Sequence, residues 1–208
     1  MQTSVARLRA RLFRSVVLHP LTLASRSAAR HRRLEPGCTV VIVNWNTLRY
    51  LVHSVNAVVA RSPSSTRILV VDNASADGSQ DWVRRHPRAE LLALPANVHH
   101  GPAMDLGILR CRTRFVVALD VDAFPIRDGW LDSLLAPLCD GAFVSGAGYP
   151  PDADSHVQPY VHACCLAIET ARFVRRGHTF SPGPTWDTAQ LISIREHPRL
   201  ATFPITSS

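Results

Sequence analysis

The chain has 208 residues, enough for one domain that buries about 70% of its unfolded surface. Its 23 basic residues are all arginine, and eight of them lie in residues 1–36 beside a single acid, Glu35. The remaining residues carry fifteen arginines against fifteen acids, so the net +7 belongs to the N-terminal segment and a nucleic-acid-binding body is not favoured. No stretch of 18 consecutive apolar residues occurs, so no membrane-spanning helix is expected. Five cysteines, an odd number without zinc-site spacing, read as reduced and mostly buried thiols in a reducing, cytoplasmic compartment.

Residues 1–33 place Val5, Leu8, Leu12, Val16 and Val17 at roughly helical spacing among Arg7, Arg9, Arg11 and Arg14. His19-Pro20 is expected to end that helix. Three readings are open: a peripheral contact with an anionic membrane face, an Arg- and Ser-rich targeting peptide, or a solvated arm. The sequence divides into this basic arm, 1–36, and a folded body, 37–208.

The body opens with a β-branched run, Val40 to Val43, which predicts a strand buried on both faces. Thr47 is a candidate cap for a helix carrying Leu48, Leu51, Val52, Val55, Val58 and Val59. A second strand, Ile68 to Val71, ends at Asp72 and Asn73, completing a β-α-β unit with a parallel pair. Asp77-Gly78-Ser79 reads as a turn with Ser79 as N-cap of a short helix near Trp82. Glu90 to Leu94 is a third strand, and Asn97 to Pro102 a loop feeding a helix from about Ala103 to Cys111.

Phe115 to Leu119 is the fourth strand. It runs into Asp120 and Asp122, and Pro125 stops it. Residues two apart on a strand share a face, so extended geometry through residue 122 turns both carboxylates toward one crevice. That crevice would lie at the strand's carboxyl end, where open α/β sheets bind ligands. Two such close carboxylates repel unless a cation sits between them. Beyond them come a helix from Trp130 to Leu138, a short strand at 142–145, a loop at 146–158 and an apolar strand at 160–168. A short helix at 170–176, a loop at 181–184, a helix from Thr185 and a strand at 201–205 follow.

Neither Gly-x-Gly-x-x-Gly nor a Walker loop follows the first strand, which disfavours a dinucleotide oxidoreductase or a P-loop enzyme. The polar residues at strand ends are acids and amides: Asn44, Asn46, Asp72, Asp120 and Asp122. Val-Val-Ile-Val-Asn-Trp-Asn at 40–46, Val-Val-Asp-Asn-Ala-Ser-Ala-Asp-Gly-Ser at 70–79, the segment Asn97 to Gly107 and Leu-Asp-Val-Asp-Ala at 119–123 follow one another at spacings that resemble glycosyltransferase family 2. The Asn-Trp-Asn and Asp-Asn-Ala-Ser pattern is similar to the family's rhamnosyltransferase-like branch.

The resemblance implies an α/β GT-A (Rossmann-like) fold, a mostly parallel sheet flanked by helices, and transfer of a hexose or deoxyhexose from a nucleotide-sugar donor to a glycan or lipid-linked acceptor with inversion. It implies donor contacts for Asn44, Asn46, Asp72, Asn73, Asn97, Gly101 and Asp120, a metal-binding role for Asp122 toward Mg²⁺ or Mn²⁺, and Asp187 as the catalytic base. Surface polysaccharide or glycolipid synthesis at the cytoplasmic side of the membrane would suit such an enzyme. The chain departs from the family at Asp105, where Asn is usual, and at Trp186-Asp187, where Glu-Asp is usual. It also has less chain after that acid. An inactive nucleotide-sugar-binding or partner-binding module is the alternative, and a nucleotidyltransferase a third reading.

Structural explanations stand beside these roles. Asp122 suits a turn before Pro125, and Asp187 a helix N-terminus. His162 reads as a satisfied buried histidine, and His99 and His100 as phosphate contacts or a solvated loop. His178 and His197 are candidate third metal ligands.

Overall fold

The computed structural model describes residues 19–149, 160–183 and 188–204. In chain order the elements are α1 (His19–Arg30), β1 (Glu35–Asn44), α2 (Leu48–Arg61), β2 (Arg67–Asp72), α3 (Ser79–Arg85), β3 (Ala89–Ala93) and α4 (His100–Arg110). Then come β4 (Thr113–Asp120), α5 (Trp130–Cys139), β5 (Val144–Tyr149), β6 (Tyr160–Glu169), α6 (Thr170–Arg176), α7 (Gln190–Glu196) and β7 (Leu200–Pro204). The seven strands form one sheet ordered β3-β2-β1-β4-β6-β5-β7. β1, β2, β3 and β4 are parallel neighbours, β6 runs antiparallel to both β4 and β5, and β7 is parallel to β5.

Alternation along the central strands feeds two cores. Val41 and Val43 of β1 point to one layer with Met104 and Ile108 of α4, Phe173 of α6 and Ile192 of α7. Val40 and Ile42 point to the other, with Leu51, Val55 and Val58 of α2 and Leu131, Leu134 and Leu138 of α5. The continuous apolar runs therefore reflect a sheet covered on both faces, each buried Val, Leu or Ile adding roughly 1.5–3 kcal/mol. Gly107 sets the closeness of one layer: a Cβ there would lie 2.7 Å from both Val41 Cγ1 and Val71 Cγ2.

Two boundaries differ from the sequence expectation. Pro20 lies in the first turn of α1, where its missing N–H costs no helical bond, so His19-Pro20 opens a helix instead of ending one. The amphipathic stretch proposed before it lies outside the described residues. α1 packs on the body: Arg26 donates to the carbonyls of Phe173 (3.3 Å) and His178 (2.6 Å). Arg32 reaches the carbonyls of Leu109, Arg110 and Cys111 at 3.0–3.2 Å, satisfying the C-terminal end of α4. β5 runs on to Tyr149, into the stretch expected to be loop, and 150–159 lie outside the described residues. No helix among the described residues is long and apolar enough to cross a membrane.

Candidate active site

The strand order reverses between β1 and β4. β2 and β3 lie on one side of β1 and β4 on the other, so the carboxyl ends of β1 and β4 bound a crevice where the two halves diverge. Val43 of β1 pairs directly with Asp120 of β4. The crevice holds about 560 Å³ and is lined by Val43, His100, Asp120, Val121, Asp122, Tyr160, His162, Ala163, Thr188 and Gln190.

The strand ends at Asp120. Val121 and Asp122 form a turn closed by the Ala123 N–H on the Asp120 carbonyl at 3.0 Å, so this turn, and not a continued strand, brings both carboxylates to the crevice. Asp122 is exposed, while the Asp120 side chain is 28% exposed. The His100 Nε2, at the first turn of α4, stands 3.4 Å from Asp120 Oδ1. Both atoms are buried and neither makes a hydrogen bond within the described residues. Burial pushes the Asp120 carboxyl above its ordinary range, His100 pulls it down, Asp122 pushes it up and His162 pulls it down. The repulsion foreseen between the two acids is thus partly offset by imidazoles.

His162, read from the sequence as a satisfied buried histidine, lies instead on the crevice wall. It is half-buried there, its Nδ1 accepting the Cys164 N–H at 3.1 Å. On β6 the half-buried positions Tyr160, His162 and Cys164 alternate with the buried Val161 and Ala163. That period of two is visible in the sequence and was the available signal. Thr188 and Gln190 were also missed, and no sequence pattern marks them.

The remaining donor-contact candidates form a hydrogen-bonded frame at the neighbouring strand ends. Asn44, fully buried, donates to Asp72 Oδ2 and Ser75 Oγ, both at 3.0 Å. It accepts from Thr47 Oγ1 at 2.7 Å, which diverts Thr47 from capping α2. Asp77 takes that place from across the loop, its Oδ2 accepting the Leu48 N–H at 2.8 Å. Its Oδ1 accepts from the Ser79 N–H and hydroxyl, so Ser79 is capped and does not itself cap. Burial pushes the Asp77 carboxyl up, but the Ser79 hydroxyl and the backbone donors outweigh it and leave it below the usual range. Buried Asp72 also accepts from the Ser75 N–H (2.9 Å) and Gln80 Nε2 (2.8 Å). Asn46, at φ 54°, accepts the Ala76 N–H at 2.7 Å.

Asn73 accepts the Val98 N–H and donates to Asn97 Oδ1, which also accepts the His99 N–H, so these amides shape the approach to α4. His99, at φ 71° and ψ 165°, holds a backbone conformation nearly confined to glycine. Gly101 is buried, and a Cβ on it would meet the Phe180 carbonyl oxygen. Asp187 lies outside the described residues.

Asp105 faces away from the crevice. Its Oδ2 accepts from the Thr179 hydroxyl and its Oδ1 from the Phe180 N–H at 2.8 Å, pinning the loop that follows α6. Burial pushes its carboxyl up to about 6 against the pull of these donors and of Arg26. The buried His178 is bound to Glu196 at 2.5 Å in the core, and neither it nor His197 is among the residues that line the crevice with Asp122. Among the described residues no group of three or more His, Cys, Asp or Glu is arranged to hold a metal. An Asp120 oxygen without a hydrogen bond and an exposed Asp122 in one crevice still fit a hard divalent cation, which binds through one or two carboxylates and completes its shell with substrate phosphates and water. All five cysteines are free.

A family model described as glycosyl transferase family 2 matches residues 39–184, which span every strand end that frames the crevice. The chain belongs to glycosyltransferase family 2. A pre-mycofactocin glycosyltransferase of Mycobacterium tuberculosis is 39% identical over 107 residues, covering 49% of this chain and 21% of that protein. The succinoglycan biosynthesis protein ExoO of Rhizobium meliloti is 32% identical over 89 residues, 42% of this chain and 26% of its own length. The chain therefore matches about a fifth to a quarter of these relatives.

Among solved structures, the Pyrobaculum calidifontis mannosyltransferase PcManGT, in complex with GDP-Man and Mn²⁺, aligns with a TM-score of 0.67 at 18% identity over 94% of this chain and 66% of its own. TarS of S. aureus with UDP-GlcNAc aligns at 0.64 and 15% identity over 83% and 59%. These likenesses bear out the GT-A fold expected of a family 2 member.

Proposed function

We propose that the chain transfers a hexosyl or deoxyhexosyl group from a nucleotide-sugar donor to a hydroxyl of a polysaccharide or lipid-linked acceptor, with inversion. The observation that carries this reading is the pairing of Asp120 and Asp122 at the carboxyl end of β4, in a crevice at the reversal of strand order, within a family 2 domain. The complexes of PcManGT with GDP-Man and of TarS with UDP-GlcNAc support a nucleotide-sugar donor.

Asp122, with Asp120 beside it, would hold Mg²⁺ or Mn²⁺, as the Mn²⁺ in the PcManGT complex suggests. Such a cation offsets the negative charge that builds on a departing diphosphate. The frame of Asn44, Asp72, Asn73 and Asn97 keeps the crevice edge rigid before the donor arrives, so little ordering is left for binding. Asn46 and Asp72 would serve the nucleoside side of the donor, and Asp120 would face its ribose or sugar. The acceptor oxygen attacks the anomeric carbon from the face opposite the diphosphate. The carbon–oxygen bond to the diphosphate breaks, the nucleoside diphosphate leaves, and the acceptor proton passes to the Asp187 carboxylate. The reaction would take place at the cytoplasmic side of a membrane, with the basic segment 1–33 as a peripheral contact.

The test is release of nucleoside diphosphate from common donors in Mn²⁺. Turnover is expected from the wild type and loss of it in Asp122→Asn. An Asp122→Asn protein as active as the wild type would remove the metal role, and a wild type that binds donors without ever releasing diphosphate would leave a binding module. Release of pyrophosphate would indicate a nucleotidyltransferase.

A further inference from the structure

The crevice lies between two helix starts. His100 opens α4 on one wall and Gln190 opens α7 on the other. α7 has only seven residues, too few to hold its direction without outside support. That support comes from two buried polar side chains. The Ser193 hydroxyl accepts the Val161 N–H at 2.9 Å and lies 3.5 Å from the Val161 carbonyl oxygen. Val161 stands between Tyr160 and His162, so this contact joins α7 to the part of β6 that lines the crevice. Glu196, in the last turn of α7, meets His178 Nε2 at 2.5 Å. His178 is itself held in place: its N–H donates to the Phe173 carbonyl at 3.1 Å, and its carbonyl accepts from Arg26. The next two residues, Thr179 and Phe180, donate to Asp105 of α4. A chain of hydrogen bonds therefore runs from α4 through the 178–180 loop to α7 and on to β6.

The His178–Glu196 pair contributes little to stability for what it removes from water. His178 is 1% exposed and Glu196 2%, and His178 Nδ1 and Glu196 Oε2 make no hydrogen bond within the described residues. The Arg176 guanidinium stands 3.8 Å from Glu196 Oε1 and is half exposed. Apolar side chains of similar volume would fill such a site with equal or greater stability. What they would lack is direction. A hydrogen bond is restricted in distance and angle, so it fixes the rotation and axial position of a short helix, whereas two apolar side chains can slide past each other. The geometry points to His178 and Glu196 as positioning residues for the transfer reaction, which set where α7 and the crevice wall of β6 stand relative to α4. Neither lines the crevice; they act through Tyr160, His162 and Gln190.

This inference rests on the nucleotide-sugar reading, and the experiment keeps the two apart. It compares the wild type with the double variant H178L/E196L and with Glu196→Gln, whose amide keeps an acceptor for the imidazole. Each protein is melted, its amide exchange is followed without ligand, and its diphosphate release from common donors is measured in Mn²⁺. H178L/E196L is expected to melt no lower than the wild type. Its amides at 161–163 and 190–193 should exchange ~10-fold faster or more, while those of α4 stay as slow as before. Its kcat should fall ~10-fold or more with the donor KM within ~3-fold, since a misplacement of about 1 Å costs up to ~10²-fold in rate. Glu196→Gln should keep wild-type exchange and kcat. A double variant that melts well below the wild type would make the pair a stability element and overturn the inference. Unchanged exchange at those amides, an unchanged kcat, or losses of equal size in Glu196→Gln would overturn it as well. A wild type that releases no diphosphate from any common donor removes the transferase reading instead, and the exchange measurement alone then decides whether the pair positions the wall.

Discussion

At the carboxyl ends of β1 and β4 the side chains are carboxylates and imidazoles, and two of their polar atoms, Asp120 Oδ1 and His100 Nε2, are buried without a hydrogen bond. Around a hollow at the amino ends of β1 and β2 stand four arginines, Arg32, Arg67, Arg110 and Arg112, and two of these are engaged with other groups of the protein. Arg32 closes the last turn of α4 and Arg67 pairs with Glu35 at 2.6 Å. The body's charge balance of fifteen against fifteen is therefore an average over two unlike ends. Buried atoms without a hydrogen bond also occur at Ser145, His178 and Glu196, away from the crevice, so the carboxyl end is set apart by unbonded atoms that border an open crevice.

The largest effect that would break this contrast is at the open end. Asp122→Asn should lower donor turnover by ~10²–10³-fold, the range for removing a group that stabilises developing charge, with little change in melting temperature because the side chain is exposed. A steady-state assay beside a thermal melt reads both. Equal losses of turnover and stability would place Asp122 in the scaffold instead.

Between the two ends, Asp105 tests how much strain the α4 layer carries. Its carboxyl lies near 6, above the ordinary value of an unfolded aspartate. The fold therefore favours its protonated form. That contribution is complete below about pH 4 and is lost as pH rises through about 6, for at most ~3 kcal/mol by linkage. Asp105→Asn keeps an acceptor for the Phe180 N–H and removes the charge, so its denaturation curves should lose the decline between pH 4 and pH 7. An unchanged slope would mean that Asp105 is ionised and satisfied at both pH values.

Smaller effects belong to the structural end and to the layer joining it to the crevice. Gly107→Ala forces a methyl against Val41 and Val71 and should cost ~1–3 kcal/mol in denaturant unfolding. Arg67→Ala should cost ~0.5 kcal/mol or less, because both partners of its ion pair are about half exposed. A loss above ~2 kcal/mol there would show the basic end to be more than a solvated face.

Much of the scaffold could be read from apolar periodicity. Val40 to Val43, Ile68 to Val71 and Phe115 to Leu119 are all central strands, and their terminal acids and amides stand at the crevice or on its frame. Local pattern failed where a distant group outcompeted it. Thr47 has the chemistry of a cap, yet the Asn44 oxygen claims its hydroxyl and Asp77 caps α2 from another loop. Pro20 reads as a helix stop until the helix is seen to begin one residue earlier. His162 sits in a run apolar enough to suggest a core position; the period of two marks its face of β6, and the antiparallel placement beside β4 sets that face at the crevice. Thr188 and Gln190 reach the crevice through the course of the chain between α6 and β7, which no local signal encodes.

The way α4 is held has a mechanical consequence. An eleven-residue helix is about 16 Å long, and this one is gripped along its whole length: by the Phe180 backbone at Gly101, by Thr179 at Asp105, by two valines at Gly107 and by Arg32 at its last carbonyls. Such a rod can neither slide nor tilt without breaking several contacts at once. Any widening of the crevice as ligand arrives and departs therefore falls to the opposite jaw, carried by β6 and α7. Hydrogen exchange should find the α4 amides slow with and without nucleotide, and the ligand-dependent protection concentrated at the amides flanking Tyr160 and Gln190.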